Sequence, residues 1–489
     1  MFGSKKCTTL GLVAQFATLF MHSTSSHALP VGPSGRETLK HQIRSKNIEV
    51  GPERFSVASN FLQRPLTILS PDVNKEVGET LNRLTPYIII LKNEVPVTAY
   101  IAKLRDHLDS SKDRLLVEIK IGYVYLDEII HGFSAQLSRE AFDYVIQSSE
   151  VTEIIDDSIM TILPYEISIL EGSLYQKIFS DSSENSDSEA QSQSNVMVQK
   201  GTAPWNLQRI SQQNKLNYVG INPNAITYNY SYENPDGQDV FVYVLDTGAR
   251  VTHSDFEGRV EMAAQFGGYE LYDGNGHGTH CTGIIAGKRW GVAKEATIRA
   301  VKVLSDRGSG ASSDIIAGIQ YVLESYRASE YAPTVASLSL GGGKNAAIDR
   351  AVEAAINHGI HFAVAAGNSN VDACLSSPAS SRGANVVAAS DISDSRALYS
   401  NWGSCVTLFA PGSNVTSTWA SSDNALARLS GTSMAAPHVA GLMAYHLSQR
   451  NLTTTQMTNL LRNEANKNAI KLGSGQDAAT PNFLIYNGI

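Results

Sequence analysis

Residues 86–163 combine short apolar runs with two stretches of helical spacing. In residues 97–110 the apolar side chains recur at intervals that place them on one face of an amphipathic helix. Residues 138–148 repeat that spacing and begin with Ser138, a residue suited to cap a helix. Four predicted strands accompany these helices: 87–91, 116–125, 132–137 and 151–163. The order β-α-β-β-α-β predicts a small α+β domain with a ferredoxin-like arrangement.

From residue 240 onward, apolar runs without alternation are separated by stretches of helical spacing. An unbroken apolar run such as 240–245 is typical of a parallel strand that is buried on both faces. Further strands are predicted at 298–304, 335–340, 362–366, 386–389 and 406–409. Helices are predicted at 277–286, 313–328 and 345–358. Alternating strands and helices predict an α/β domain with a mostly parallel sheet covered by helices on both faces.

The remaining segments lack a pattern that predicts a packed core. Residues 1–28 begin with Lys5 and Lys6, continue with an apolar stretch and end in small polar residues, which is typical of a secretory signal peptide. An uncleaved membrane anchor is the alternative, but the apolar stretch is short for a bilayer. Residues 29–85 are polar and rich in turn signals, so we interpret them as an extension of a pro-segment. Residues 164–200 form an acidic, serine-rich linker that we expect to be disordered.

Composition narrows the function without assigning it. The 489-residue chain carries a formal net charge of −8, which argues against nucleic acid as a partner. Four cysteines are too few for a scaffold built from disulfides. After residue 28, no apolar stretch reaches the length of a membrane span. We therefore expect a soluble globular product that folds in an oxidising compartment once the signal peptide is removed.

Three polar residues flank predicted elements at positions that suit catalysis. Asp246 ends the apolar run that starts at residue 240, so its carboxylate lies at the carboxyl end of a strand. His277 lies between glycines at the start of a predicted helix, and Ser433 follows Gly-Thr at the start of another. Each residue alone is ordinary: a turn aspartate, a loop histidine and a helix-capping serine. Together they supply an orienting carboxylate, a base and a nucleophile. A further histidine, His253, is interpreted as a surface turn residue.

The motifs around these residues, Asp-Thr-Gly, Gly-His-Gly-Thr-His and Gly-Thr-Ser-Met-Ala, resemble the subtilisin-like serine proteases, in particular their proteinase K and cerevisin branch. The order Asp, His, Ser is that of subtilisin. The resemblance selects His277 as the base over His280, which lies one helical turn away. It implies that residues 86–163 are a propeptide domain, which inhibits the protease and guides its folding, and that residues 201–489 are a peptidase domain with a subtilisin-like sheet.

The resemblance also assigns the groups that contact a substrate. The Asn368 amide, in Ala-Ala-Gly-Asn-Ser, would stabilise the oxyanion together with the backbone N–H of Ser433. By itself, an asparagine after Ala-Ala-Gly would be interpreted as a turn residue. Two glycine-rich strand edges and a pocket of small residues would hold an extended peptide: Gly308, Ser309, Gly310, Ser339, Leu340, Gly341, Gly342, Ala365 and Gly367. Since these stretches contain no acidic residue, we expect a broad specificity with a hydrophobic or aromatic preference.

The resemblance implies one disulfide, between Cys374 and Cys405. Cys7 leaves with the signal peptide, and Cys281 remains, one helical turn from His277. Cys281 is either a small buried apolar residue or a thiol that makes the site sensitive to heavy metals. Both alternatives are open at this point.

No cofactor is required for the implied chemistry, although a structural calcium ion is common in this branch. Proteases of the proteinase K type use an aspartate ahead of Phe-x-Pro-Gly as a calcium ligand, whereas this chain has Thr407 there. A threonine lacks the charge that a hard cation favours, so we do not expect that calcium site in its usual form. Three acceptor motifs permit N-glycosylation, at Asn229, Asn414 and Asn451.

These observations predict the zymogen of a serine endopeptidase that enters the secretory pathway and functions outside the cell or in the vacuole. We expect a monomer that cuts proteins and peptides and is inhibited by its own propeptide. Because the linker has no dibasic site, we expect it to cut itself within residues 164–205. Two alternatives are an inactive relative, which would lack a catalytic residue, and a free inhibitor, which would require release of residues 86–163 as a stable fragment.

Overall fold

The computed structural model describes residues 84–110, 118–162, 166–170, 195–217, 224–473 and 479–489. All of them belong to one structural unit, Ser70–Ile489. The predicted signal peptide, most of the predicted extension and residues 171–194 of the predicted linker lie outside the described residues. Among the described residues, no helix combines the length and the apolar character needed to cross a membrane.

Residues 85–157, which we call the pro-domain after the role that the resemblance implies, form the α+β unit that the sequence predicts. Its elements are β1 (Thr85–Leu91), α1 (Val97–Asp109), β2 (Ile119–Val124), β3 (Gly132–Leu137), α2 (Arg139–Gln147) and β4 (Val151–Asp156). The strands form an antiparallel sheet in the order β2-β3-β1-β4, which is the ferredoxin-like arrangement. Ser138 caps α2 by accepting a hydrogen bond from the N–H of Ala141. Leu104 and Phe133 lie fully buried in the separate core of this domain.

The predicted strand 151–163 is in fact two strands. The chain leaves the pro-domain sheet after β4, and β5 (Ile159–Ile162) joins a sheet of the peptidase domain. The linker, predicted to be disordered, forms strands at both ends: β6 (Glu166–Leu170) and the first residues of β7 (Val196–Ala203). The expectation of disorder is wrong for these two segments. Each one pairs with another strand of the chain, and neither partner strand was predicted from the sequence.

The peptidase domain continues with α3 (Trp205–Ile210) and β8 (Tyr228–Glu233), and β7 and β8 form a two-stranded sheet. Its other strands are β9 (Phe241–Asp246), β10 (Val260–Gln265), β11 (Thr297–Lys302), β12 (Ser309–Ala311), β13 (Thr334–Leu338), β14 (Leu340–Gly343), β15 (His361–Ala365), β16 (Ser376–Ser377), β17 (Asn385–Ser390), β18 (Leu408–Pro411), β19 (Val415–Thr418), β20 (Leu426–Ser430), β21 (Asn466–Lys467) and β22 (Phe483–Leu484). Its other helices are α4 (His277–Ala286), α5 (Ser312–Ala328), α6 (Ala346–Asn357), α7 (Thr432–Gln449) and α8 (Thr454–Glu464).

A nine-stranded sheet organises the peptidase domain, in the order β10-β11-β9-β13-β15-β17-β18-β22-β21. Neighbouring strands are parallel except for the last pair, β22 and β21. In β9, Val242 and Val244 join the core that contains α4 and α7, whereas Tyr243 and Leu245 join the core that contains α5 and α6. Helices therefore bury both faces of the strand, which explains its unbroken apolar run and confirms the predicted fold class.

Helix α3 anchors the beginning of the peptidase domain. Trp205 and Asn206 are fully buried, and the Asn206 Nδ2 donates to the His438 Nε2 at 2.8 Å. Burial lowers the pKa of His438 to about 4, so this ring accepts as a neutral imidazole. Arg209 pairs with Asp394 inside the protein, with an N–O distance of 2.8 Å. These contacts fix the residues that follow β7 to the interior of the domain.

The pro-domain packs on α5 and α6. Ile88 and Ile90 of β1 belong to the same buried core as Ile315 and Ile319 of α5. Polar contacts surround this core: the Tyr123 hydroxyl donates to Asp314 at 2.9 Å, and the Leu126 N–H donates to the Gln320 side chain at 2.8 Å. The Asp157 carboxylate accepts from the backbone N–H of Ser313 at 2.8 Å and from its hydroxyl at 2.6 Å. An apolar contact with a polar border is typical of a specific interface.

Candidate active site

Asp246 and His277 are in direct contact. Asp246 is the last residue of β9 and His277 is the first residue of α4, so a strand end meets a helix start. The His277 Nδ1 lies 2.8 Å from Oδ1 and 3.0 Å from Oδ2 of Asp246, and both side chains are buried. A carboxylate at this distance orients the imidazole and favours a proton on Nδ1, which leaves Nε2 as an acceptor.

The charge of Asp246 controls the protonation of His277. Burial alone would lower the pKa of His277, but the Asp246 carboxylate outweighs this effect and holds the pKa well above 6.5. His280 differs, since burial, and then the charge of His277, lower its pKa to about 3. The His280 Nε2 lies 3.2 Å from the carbonyl oxygen of Ala427. His280 is therefore a neutral buried residue that has no contact with Asp246, and the choice of His277 as candidate base is retained.

Ser433 is fully buried at the second position of α7. Its Oγ donates to the carbonyl oxygen of Ser339 at 3.1 Å. Within the described part of the chain, the His277 Nε2 has no hydrogen-bond partner, so serine and imidazole are not bonded to each other. Cys281 contacts both sides, because its Sγ lies 3.9 Å from the His277 Nδ1 and 3.5 Å from the Ser433 carbonyl oxygen. The three predicted catalytic residues thus gather around one buried point.

The Asn368 side chain is oriented by the residue before Ser433. Its Oδ1 accepts from the N–H of Thr432 at 2.9 Å and from the Thr432 hydroxyl at 2.8 Å. These two bonds orient the Asn368 Oδ1 toward the start of α7, so that the NH₂ group of the same amide faces away from Thr432. Gly367 has φ of +103°, and a Cβ there would lie 2.3 Å from the Asn401 Nδ2, so only glycine fits before Asn368.

Asn401 supports the Asn368 loop and was not predicted from the sequence. Its Nδ2 donates to the carbonyl oxygen of Ala366 at 2.8 Å. Its Oδ1 accepts from the backbone N–H groups of Ser369 at 3.0 Å and Val371 at 3.1 Å. Since its partners are backbone atoms distant in sequence, no local pattern marks Asn401 as part of the site.

Asp273 joins the end of β9 to the start of α4 and was also missed. Its Oδ1 accepts from the Thr247 hydroxyl at 2.9 Å and from the N–H of Gly276 at 2.8 Å, and its Oδ2 accepts from the N–H of Thr279 at 2.9 Å. The Thr247 hydroxyl oxygen in turn accepts from the N–H of Gly278 at 2.9 Å. An aspartate shortly before a helix is a capping signal that could have indicated this role.

The predicted substrate-binding strands hold a segment of this chain. β5 pairs antiparallel with both β12 and β14, so it lies between the two glycine-rich edges. Met160 is opposite Gly310, and Thr161 is opposite Gly341. The Ile162 N–H donates to the carbonyl oxygen of Gly308 at 2.8 Å. The remaining predicted contacts lie in two places. Ser309 is in β12, Leu340 and Gly342 are in β14 and Ser339 is just before β14, whereas Ala365 and Gly367 lie at and after the end of β15.

The glycines along this cleft leave room for the side chains of β5. A Cβ at Gly308 would lie 2.7 Å from the Ile162 Cδ1, and a Cβ at Gly342 would lie 2.6 Å from the Met160 Sδ. Met160 itself is fully buried, in the core that includes α5 and α6. The cleft therefore accepts an extended strand with apolar side chains at the positions of Met160 and Ile162.

Cys374 and Cys405 form a disulfide, with Cα atoms 5.4 Å apart, as the resemblance implied. Cys281 is free and fully buried, and burial raises the pKa of its thiol. A buried, protonated thiol fits the first alternative, a small apolar residue. Asp246, His277 and Cys281 also place ligand atoms within 4.8 Å of one another, so the sensitivity to heavy metals stays a prediction.

Thr407 does not fit the role of a calcium ligand. Its Oγ1 accepts from the N–H of Val386 at 3.2 Å and donates to the carbonyl oxygen of Ala384 at 3.3 Å. A neutral hydroxyl that is engaged with two backbone groups lacks the charge that calcium favours. The expected loss of the usual calcium site at this position stays a prediction.

Two surface predictions differ in outcome. Asn229, Asn414 and Asn451 are exposed, as glycosylation requires, and their modification stays a prediction. His253, expected at the surface, is buried, and its Nε2 lies 2.9 Å from the carbonyl oxygen of Ala425. The prediction for His253 was wrong because the turn that carries it packs against a segment far along the chain.

Comparisons with known proteins agree with these motifs. The Peptidase S8 model, described as the subtilase family, matches residues 237–482. Cerevisin of Saccharomyces cerevisiae is 47% identical over 309 residues, which is 59% of this chain and 47% of cerevisin. Subtilisin-like proteinase Spm1 of Pyricularia oryzae is 44% identical over 313 residues, which is 60% of this chain and 57% of that protein. The chain thus spans about half the length of these curated relatives.

The fold is shared with a solved structure. The crystal structure of a cold adapted subtilisin-like serine proteinase is 42% identical, with a TM-score of 0.52, and the match covers 58% of this chain and 98% of that one. The parallel sheet, the Asp246–His277 contact and Ser433 at a helix start lie within the matched family region. On these grounds, the chain belongs to the subtilase family.

Proposed function

We propose that this chain is the precursor of a serine endopeptidase that hydrolyses peptide bonds through an acyl-enzyme. The observation that carries the proposal is the buried Asp246–His277 pair beside the helix start that holds Ser433. Membership of the subtilase family and the glycine-edged cleft support it. A structural role would not require a buried acid and base at one end of a parallel sheet.

In the first half of the proposed reaction, the Ser433 hydroxyl leaves the Ser339 carbonyl and donates to the His277 Nε2. The serine oxygen then bonds to the substrate carbonyl carbon while its proton moves to the imidazole. The Asp246 carboxylate stabilises the imidazolium that forms. The N–H of Ser433 and the amide of Asn368 would stabilise the negative charge on the substrate oxygen.

In the second half, the tetrahedral intermediate collapses and the carbon–nitrogen bond breaks. His277 returns the proton to the leaving amine, so the acyl-enzyme and a free amine are formed. Water then attacks the acyl carbon and gives one proton to His277, which passes it to the Ser433 oxygen as the carboxylic acid is released. Every step is acid–base or nucleophilic chemistry, so the proposal requires no cofactor.

The proposed substrates are proteins and peptides with apolar side chains before the cut bond. Support comes from β5, whose apolar Met160 and Ile162 occupy the cleft between β12 and β14. Small residues at Ala365 and Gly367, with no acid in the matching stretches, favour a hydrophobic or aromatic preference over a basic one.

We also propose that the pro-domain inhibits the protease and assists its folding. Its tail, β5, occupies the cleft that a substrate would use, and its sheet packs on α5 and α6. A covalently attached segment has a high effective concentration, so it competes strongly with free substrate. Self-cleavage within residues 164–205 and activity as a monomer remain part of this proposal. The disulfide between Cys374 and Cys405 favours the secretory pathway, with the cell exterior or the vacuole as destination.

Labelling with a fluorophosphonate tests the enzyme assignment. We expect the reagent to modify Ser433 in the matured protein and to leave Ser433→Ala unlabelled, with the modified residue mapped by peptide mass spectrometry. Ser313→Ala is a suitable comparison for a serine outside the catalytic group. A modification that maps elsewhere, or none in folded matured protein, would support the inactive relative instead.

Expression of Ser433→Ala alone tests self-cleavage. Removing the nucleophile is expected to lower turnover by about 10⁶, the loss known for the corresponding change in subtilisin. The precursor should therefore accumulate uncut in cells that lack other processing proteases. A matured species that begins near Ala203 in this variant would show that another protease performs the cut.

A further inference from the structure

An open cleft of about 380 Å³, the rear cleft, lies on the side of the peptidase domain opposite to the catalytic residues. Its walls include Tyr326 of α5, Ile356 of α6, and Asn451 and Leu452 of the loop between α7 and α8. α6 leads into the amino end of β15, whereas the catalytic aspartate lies at the carboxyl end of β9 in the same parallel sheet. Changes to the rear cleft therefore leave the catalytic groups in place.

The walls of the rear cleft combine apolar surface with polar groups. Ile356 supplies an aliphatic wall, and the half-buried ring of Tyr326 lies edge to face with the Tyr331 ring at 5.2 Å, which restrains its plane. Gly359 has φ of +105°, and a Cβ there would lie 2.9 Å from the Tyr326 hydroxyl, so glycine keeps this end open. His358 adds an exposed polar group. Apolar faces with polar borders suit a sugar ring, which has C–H groups on its faces and hydroxyl groups at its edge.

Asn451 belongs to the wall of the rear cleft and also begins an acceptor motif for N-glycosylation, Asn-Leu-Thr. Its side chain is exposed. The other two acceptor asparagines, Asn229 and Asn414, do not line the rear cleft. A sugar attached to Asn451 would thus start at the cleft itself.

The residues after Asn451 are held firmly. Leu452 packs against the buried core that contains α4 and α7. Thr453 caps α8, since its hydroxyl accepts from the N–H of Gln456 at 3.3 Å and its own N–H donates to the Gln456 side chain at 2.9 Å. The attachment point is therefore ordered, and a sugar on it would lose little further freedom on packing against the protein.

We propose that Asn451 carries an N-linked glycan whose first N-acetylglucosamine lies in the rear cleft, against Tyr326 and Ile356. In the modification, the Asn451 Nδ2 bonds to the anomeric carbon of a lipid-linked oligosaccharide diphosphate and loses one proton, and the lipid diphosphate leaves. The proposal rests on the proposed secretory route, which supplies this donor. Because the sugar contacts the rear cleft only in the folded protein, it stabilises the folded state.

Removing different parts of the glycan tests where the first sugar lies. The Ser433→Ala precursor, which cannot digest itself, is secreted from a host that adds high-mannose glycans, and an endoglycosidase then trims each glycan to one N-acetylglucosamine. The trimmed protein should unfold in urea at the rate of the untreated protein. Asn451→Gln should unfold about fivefold faster. Thr453→Ser, which keeps both the motif and the helix cap, is the matched control. If the trimmed protein unfolds as fast as Asn451→Gln, the first sugar does not contribute and the proposal is wrong.

A double-mutant cycle tests the contact with Tyr326. Tyr326→Leu keeps an apolar side chain and removes the ring. It should accelerate unfolding more in the glycosylated protein than in the Asn451→Gln background, because the sugar contact is already absent from the latter. Equal acceleration in the two backgrounds would overturn the placement of the sugar on this ring.

Peptide mass spectrometry separates failure of this proposal from failure of the proposed function. If Asn451 is unmodified in protein that has lost its signal peptide, this proposal is wrong and the secretory route stands. If the signal peptide is retained and no acceptor motif is modified, the secretory route is wrong and this proposal fails with it. Neither result depends on the reactivity of Ser433, so the peptidase assignment is tested independently.

Discussion

Asp157 makes a contact whose removal should weaken the hold of the pro-domain on the peptidase domain. Helix α5 has no side-chain cap of its own, because Ala311 precedes it. Asp157, which follows β4, supplies the missing acceptor for the N–H and hydroxyl of Ser313. The pro-domain therefore caps a 17-residue helix of the peptidase domain.

The size of the effect can be worked out from these contacts. Loss of an N-cap acceptor costs about 0.5–2 kcal/mol, and loss of a negative charge at a helix start costs about 0.3–1 kcal/mol. Burial raises the pKa of Asp157, opposed by the hydrogen bonds from Ser313, so part of the gain is offset by desolvation. We expect Asp157→Ala to weaken the complex by about 1–3 kcal/mol, which is about 5- to 150-fold in the dissociation constant.

The lag before substrate hydrolysis measures this change. After maturation, the separated pro-domain must dissociate before a chromogenic peptide is cut, so a weaker complex gives a shorter lag. Asp157→Asn should fall between wild type and Asp157→Ala, since it keeps an acceptor and loses the charge. Asp156→Ala is the control, because that side chain is exposed. A lag for Asp157→Ala within twofold of the control would refute the capping argument.

Three further outcomes are expected. The self-processing rate should rise with pH through a value above 6.5, because Asp246 raises the pKa of His277 and only the neutral imidazole accepts the serine proton; a flat rate between about pH 5 and 8 would contradict this. Replacing Cys374 and Cys405 by serine in an inactive background should lower the free energy of unfolding by about 3–4 kcal/mol, since the disulfide spans 31 residues, and a loss under about 1 kcal/mol in urea titrations would argue against it. Asn368→Ala should lower kcat about 10²–10³-fold with little change in KM, the loss known for such a donor in subtilisin, and an effect on KM alone would remove Asn368 from the oxyanion role.

The sequence predicted those parts of the fold whose signals are local. Helix α4 has the predicted bounds, and β9 carries Asp246 at its end, because an apolar run and a capped start are set by neighbouring residues. β6 was missed although its first four residues, Glu166 to Ile169, alternate polar and apolar side chains. Its partner, β20, lies more than 250 positions away, and a strand without a visible partner resembles a loop.

In the candidate site, too, residues with a local sequence signal were predicted and residues that act through distant contacts were not. Motifs identified the groups that would react, since chemistry restricts which residues can serve as acid, base and nucleophile. Asn401 and Asp273 were not predicted, because they bind backbone N–H groups, which almost every residue has. The hydroxyl of Ser433 points at Ser339 instead of at His277, a choice of side-chain rotamer that no pattern in the sequence indicates.

The anchoring of α3 sets a limit on trimming after maturation. Residues before Ala203 are held by the two-stranded sheet of β7 and β8, and a protease can trim them as that pairing opens, but Trp205 and Asn206 are fully buried and Asn206 is bonded to His438. Shortening past Ala203 would require part of the interior to open first. The matured population should therefore have ragged N-termini upstream and a sharp boundary near Ala203, which intact-mass measurement of the purified protein would reveal as a ladder that ends at one mass.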